Sequence, residues 1–106
     1  MNKINMLLIS GLLAGSVPAW AGNVDAGKEK SKPCAACHGA DGNSASADFP
    51  KLAGQNADYL IKAMQGYKSG ARKNPIMAPM GANLSQRDME DLAAYFSAQE
   101  GLKTAK

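Results

Sequence analysis

The chain has 106 residues, with 12 Lys or Arg against 9 Asp or Glu and a net charge of +3. That length holds one small domain. No basic run is long enough to suggest nucleic acid, so the surface reads as mixed and solvated.

At the N-terminus, Lys3 precedes a mostly apolar run from Ile4 to Val17. Ala19-Trp20-Ala21 then offers small residues at the two positions a signal peptidase reads. Residues 1–21 therefore read as a secretory signal peptide cleaved after Ala21, which implies a periplasmic protein. The run is short of the ~20 residues that a membrane span wants. The domain is then 22–106, 85 residues long, and the loss of Lys3 lowers its charge to +2. A chain of that size buries only about 60–70% of its unfolded surface, so exported domains of this kind usually carry a staple. A bridge between the only two cysteines, Cys34 and Cys37, would close a tiny loop and stabilise little.

Three helices follow in order. The first is expected over about Asp25 to Ala36, with Asp25 as N-cap and Pro33 as a break just before the cysteines. The second is expected over Ala57 to Tyr67, where Tyr59, Leu60, Ala63, Met64 and Tyr67 recur at helical spacing. Gly66 and Gly70 stand near its end, where glycine terminates helices. The third is expected over Gln86 to Gln99, capped by Ser85 with Asp88 at the capping-box position. Its apolar stripe is Met89, Leu92, Ala93 and Phe96. The stretches Gly39 to Gly54 and Gly70 to Asn83 show no alternation of the kind a strand requires, and read as loops. Loops so long normally count against an assignment in a compact domain, and become reasonable if they wrap a prosthetic group. The fold class is all-α.

Cys34-Ala35-Ala36-Cys37-His38 carries the chemistry. Cys-x-x-Cys-His is the attachment pattern of a c-type haem. Two thiols on one short turn reach neighbouring vinyl groups of a porphyrin as thioethers, and the histidine beside them is directed at the iron. A thioredoxin-like pair would need a strand–helix context that is missing. A zinc site would need two more ligands, and His38 is the only histidine. A plain disulfide is the remaining alternative.

The sequence around this motif resembles the bacterial class I cytochromes c, above all small monohaem carriers and one half of the dihaem respiratory cytochromes. The likeness runs from Asp25 to Gln99. It is carried by Asp25-Ala26-Gly27-Lys28, by Cys34 through Asn43, and by Phe49-Pro50-Lys51-Leu52-Ala53-Gly54-Gln55 with Tyr59-Leu60. Asn83-Leu84-Ser85 leading into Asp91-Leu92-Ala93-Ala94-Tyr95-Phe96 completes it. The resemblance implies the class I cytochrome c fold around one covalently bound haem c, since there is one motif. It implies an electron carrier rather than an enzyme, with redox proteins as partners and no small-molecule substrate. It also implies that the Pro50 carbonyl holds Nδ1 of His38, and that Gly27 lies where the first helix crosses the last, with Tyr95 or Phe96 against it.

The second axial ligand is not another histidine. A thioether is the soft, neutral choice and raises the potential. Met64 and Met89 fall on helical stripes, where core packing is the simpler role. Met77 and Met80 lie in the proline-pinned stretch from Asn74 to Met80. In related domains the ligand precedes the Leu-Ser helix start at the distance of Met77 from Leu84-Ser85, which favours Met77 over Met80. An exposed haem edge near Cys34 and Cys37 would meet partners in small, brief contacts. Lys51, Lys62, Lys68, Arg72 and Lys73 could steer an acidic partner or form an ordinary solvated face.

Overall fold

The computed structural model describes residues 22–103, so the signal peptide read at 1–21 lies outside the described residues. Five helices and no strand stand among the described residues: α1 Val24–Lys30, α2 Lys32–His38, α3 Ala57–Ser69, α4 Met77–Ala82 and α5 Gln86–Ser97. None of them is long and apolar enough to cross a membrane.

The helix read as one from Asp25 to Ala36 is two. Ser31 ends α1, and its hydroxyl donates to the Lys28 carbonyl at 2.7 Å. Pro33 does not make the break. It lies in the first turn of α2, where its missing N–H leaves no hydrogen bond unmade. The N-cap of α1 is Asn23 rather than Asp25, and its side chain accepts from the Ala26 N–H at 2.8 Å. Asp25 sits in the first turn, where a carboxylate suits the helix dipole.

The α3 helix runs one residue pair beyond the expected Tyr67 and stops at Gly70, whose φ of 86° is left-handed. The α5 helix starts at the expected capping box. The Ser85 hydroxyl accepts from the Asp88 N–H at 3.0 Å, and the Asp88 carboxylate accepts from the Ser85 N–H at 2.9 Å.

The core lies where α5 meets α1 and α3. Leu60, Leu92, Ala93, Tyr95 and Phe96 form it, and Leu92 is 2% exposed, a burial worth about 1.5–3 kcal/mol. Both α1 and α3 pack on α5, and α4 packs on α3. The α1–α5 crossing is close because Gly27 has no side chain. A Cβ there would lie 2.0 Å from the Asp91 carbonyl oxygen and 2.7 Å from Cβ of Tyr95.

Two ion pairs of Lys30 bridge that crossing. The Lys30 ammonium reaches Asp91 at 2.7 Å and Asp88 at 3.0 Å, and the Asn23 N–H donates to Asp91 at 2.8 Å. Burial pushes the Asp91 carboxyl up. Lys30 first and the Asn23 N–H second outweigh that and leave it below the usual carboxylate range. The same contacts, to Asp91 and then to Asp88, raise the Lys30 ammonium.

Candidate functional site

The Cys-x-x-Cys-His run fills the body and end of α2. The Cys34 and Ala35 N–H groups both donate to the Ser31 carbonyl, at 2.8 and 3.1 Å. Cys34 and Cys37 are three residues apart in this helix, so their side chains leave the same side of it. Both thiols are unbridged and half-buried, and burial raises the Cys34 thiol above its ordinary range.

His38 is the last residue of α2 and is 7% exposed. Gly39 follows at φ 87° and turns the chain away from the helix axis, a backbone conformation that side chains disfavour. His38 Nδ1 lies 2.8 Å from the Pro50 carbonyl oxygen. A carbonyl only accepts, so Nδ1 carries a proton, and in the neutral ring the lone pair is on Nε2. The Phe49 ring stands edge-on to the imidazole at 6.5 Å.

The loop that brings Pro50 here is pinned at several points. Tyr95 donates its hydroxyl proton to the Ala40 carbonyl at 2.8 Å. The Leu52 N–H donates to the Gly42 carbonyl at 2.7 Å, and the Gly54 N–H to the Phe96 carbonyl at 2.9 Å. The Ser44 hydroxyl donates to the Phe49 carbonyl at 2.6 Å, one residue before Pro50.

The stretch from Asn74 to Met80 is not a loop throughout. Met77 opens the six-residue helix α4, and Pro79 stands in its first turn, where proline is tolerated. The Asn74 side chain accepts from both the Ile76 and Met77 N–H groups at 2.9 Å. Met77 is half-buried, whereas Met80 is 38% exposed. Met89 is 2% exposed within the interior, and Met64 packs against the core cluster, as their helical spacing implied. Nothing in the sequence reading had singled out Asn74, the Lys30–Asp91 pair or the Tyr95–Ala40 hydrogen bond. An Asn-Pro pair ahead of an apolar run is the one local signal that pointed to Asn74.

This donor set suits the haem that the sequence implies. Two reduced thiols leave one side of one helix, and a buried imidazole offers Nε2 while its other nitrogen is held. Leu52, Ile61, Met64 and Leu84 pack on the core yet stay half-exposed, a set of apolar side chains suited to lining a flat apolar group.

Comparison with known proteins agrees. The family model described as Cytochrome c matches residues 24–99. Cytochrome c4 of Pseudomonas aeruginosa is 45% identical over 94% of this chain, and the match spans 50% of that protein. Cytochrome c-554(548) of Halomonas halodenitrificans is 43% identical over 76% of this chain and is covered in full. The crystal structure of reduced recombinant cytochrome c4 from Pseudomonas stutzeri superposes with a TM-score of 0.73 at 47% identity, over 77% of this chain and 48% of that one. The chain thus spans about half the length of the cytochromes c4 that it matches. On these matches the chain belongs to the cytochrome c family, electron-transfer proteins with covalently bound haem c, and resembles one half of a cytochrome c4.

Proposed function

We propose that the chain is a periplasmic carrier of single electrons. In this reading Cys34 and Cys37 hold the haem as thioethers, and His38 and Met77 are its two axial ligands. The observation that carries it is the buried His38 ring with Nδ1–H held on the Pro50 carbonyl at 2.8 Å. A ligating histidine needs that second partner to fix its tautomer and raise its basicity.

When bound, the haem supplies a one-electron couple that needs no open coordination position. The protein residues orient and shield it. The Pro50 carbonyl sets the imidazole, and Phe49 covers its edge. Asn74 fixes the amides at the start of α4, where the half-buried Met77 stands. The exposure of Met80 favours Met77 as the sulfur donor. Export through a signal peptide at 1–21 would deliver the chain to the compartment where this haem is attached, and redox proteins would be its donor and acceptor.

Optical spectra of the oxidised and reduced protein, with a haem-stained denaturing gel, test this reading. Haem that stays with the chain on the gel is expected, as is a reduced form inert to carbon monoxide. Loss of the haem on the gel would refute the thioethers. Rapid carbon monoxide binding would mean an open iron and a sensor or enzyme.

A further inference from the structure

We propose that Ser44 is a positioning residue for the axial histidine: its hydroxyl grips the Phe49 carbonyl and thereby sets the Pro50 carbonyl on Nδ1 of His38. The proposal rests on the carrier reading above and deepens it by naming a residue that tunes the iron ligand.

The Pro50–His38 contact joins an exposed residue to a buried ring. His38 is 7% exposed, whereas Pro50 is exposed and closely follows a run of exposed residues from Ala45 to Asp48. Among the described residues, the hydrogen bonds of that run reach no farther than Phe49. The Ser46 hydroxyl accepts from the Asp48 N–H at 3.1 Å, and the Ser46 carbonyl accepts from the Phe49 N–H at 3.3 Å. The tip of the loop therefore gives Pro50 no anchor on the rest of the domain.

Ser44 closes the base of this tip. It is half-buried, and its hydroxyl donates to the Phe49 carbonyl, five residues on, at 2.6 Å. What it grips is the peptide group between Phe49 and Pro50. That group is planar. Because it precedes a proline it has no N–H, so the carbonyl is its only hydrogen-bonding handle. The Pro50 ring also fixes its own φ near about −65°. With the plane gripped and φ fixed, the direction of the Pro50 carbonyl depends on one torsion, the ψ of Pro50. The chain beyond is restrained in turn, because the Leu52 N–H donates to the Gly42 carbonyl at 2.7 Å.

Ser44 stands on a fixed base. Its neighbour Asn43 donates its N–H and its side-chain amide to the Asp41 carboxylate, each at 3.0 Å, and the same amide to the Glu100 carbonyl at 2.9 Å. The segment after α5 is itself tied back, with the Leu102 N–H donating to the Ala53 carbonyl at 2.8 Å. A firm path thus runs from this segment through Asn43 and Ser44 to the Phe49–Pro50 peptide and on to the imidazole. A carbonyl held on Nδ1–H makes Nε2 a stronger donor, and hydrogen bonding of this kind is one of the levers by which a protein sets a haem potential. A stronger donor favours the oxidised, more highly charged iron. Loss of the Ser44 hydroxyl frees the peptide plane, loosens the Nδ1 contact and raises the potential.

The test compares parent holoprotein with Ser44→Ala, Ser44→Thr and Ser46→Ala. Proton NMR of the ferrous form reads exchange of the His38 Nδ1 proton with deuterated solvent, and redox titration reads the potential. In Ser44→Ala the exchange is expected to be about fivefold faster, which corresponds to about 1 kcal/mol, the net worth of one hydrogen bond. Its ratio of reduced to oxidised protein in a fixed redox buffer should rise about threefold, or about 30 mV for a one-electron couple. Ser44→Thr keeps the hydroxyl and should return both readings to the parent values. Ser46→Ala removes a hydroxyl from the same tip that does not touch the Phe49 carbonyl, and should leave both unchanged. A Ser44→Ala protein that exchanges and titrates like the parent overturns the proposal even if it melts lower, because the hydroxyl would then serve stability alone. Equal changes in Ser44→Ala and Ser46→Ala overturn it too. If Ser44→Ala yields no holoprotein, Ser44→Val against Ser44→Thr decides, since the two side chains match in shape and differ in the hydroxyl; equal exchange and potential in that pair overturn the proposal. A parent chain without covalent haem, or one whose ferrous form shows no ligated imidazole, refutes the carrier reading and this proposal with it.

Discussion

Replacing Gly27 by Ala should loosen the helix crossing on which the domain is built. The added Cβ would lie 2.0 Å from the Asp91 carbonyl oxygen, 2.7 Å from its carbon and 2.7 Å from Cβ of Tyr95. A relaxed carbon–oxygen contact is about 3.3 Å, so α1 must retreat by roughly 1.3 Å at that point. The Asn23–Asp91 hydrogen bond at 2.8 Å would stretch out of range with it. Overpacking costs about 1–3 kcal/mol and the lost hydrogen bond about 1. Alanine returns up to about 1 kcal/mol of helix propensity. The net loss is about 1–4 kcal/mol, or an apparent Tm lowered by roughly 5–30 °C in a domain of this size. Gly70→Ala is the control. Its Cβ would meet nothing within 4 Å, and only the φ of 86° opposes it, at a cost of about 1–2 kcal/mol. Thermal melts of both holoproteins, followed by circular dichroism, decide the matter. A Gly27→Ala melt within 3 °C of the parent, below the roughly 5–30 °C expected, would refute the steric account.

Met77→Ala should abolish the weak near-infrared band expected of sulfur–iron(III) ligation and lower the potential; Met80→Ala should keep both, and the reverse result would exchange the two assignments. Lys30→Met should lower Tm most between about pH 5 and pH 9. Asp91, held below the usual carboxylate range, stabilises above that range and stops doing so as pH falls through its folded pKa, so the gap narrows below about pH 4. Lys30, held above its ordinary pKa, stabilises below about pH 10.4 and stops as pH rises past its folded value, so the gap narrows again in strong alkali; a gap constant from pH 3 to pH 11, measured by melts across that range, would show that the pair contributes nothing through its charges. Ser85→Ala should cost about 1 kcal/mol in denaturant unfolding and leave the absorption spectrum unchanged, because the cap lies at the far end of α5 from the loop contacts.

What was legible in the sequence was local. The Ser85–Asp88 box spans three residues, and its whole logic lies within them. Cys34, Cys37 and His38 are adjacent, so their joint use showed without any fold. The break at Ser31 is not legible from Pro33, because proline in a first turn starts a helix as readily as it ends one. Asn23 was missed as the cap because its position is set partly by Asp91, 68 residues away. The α4 helix was hidden by two prolines and a glycine, and its start depends on the Asn74 side chain. The Pro50 contact lies 12 residues from His38; only the family resemblance anticipated it, since nothing in a loop's composition says which carbonyl meets which ring. The Lys30–Asp91 pair joins two helix faces whose relative placement no local pattern encodes.

The two proposed axial ligands hang on different parts of this architecture. His38 is tied to α5 twice. Along the chain, Ser31 links α2 to α1, which crosses α5 at Gly27. Across space, Pro50 belongs to a loop that Tyr95 and Phe96 of α5 hold through Ala40 and Gly54. Met77 is tied instead to α3, through Gly81 against Tyr67 and through the caps made by Asn74. A perturbation at the α1–α5 crossing therefore bears on the imidazole first, and one at α4 bears on the thioether first. The shorter and less buried attachment is the Met77 side: one six-residue helix with an exposed apolar face, packed on a single neighbour. Local opening begins where buried apolar contact is least. With only Gly81 buried among its six residues, α4 is one place where such opening can begin.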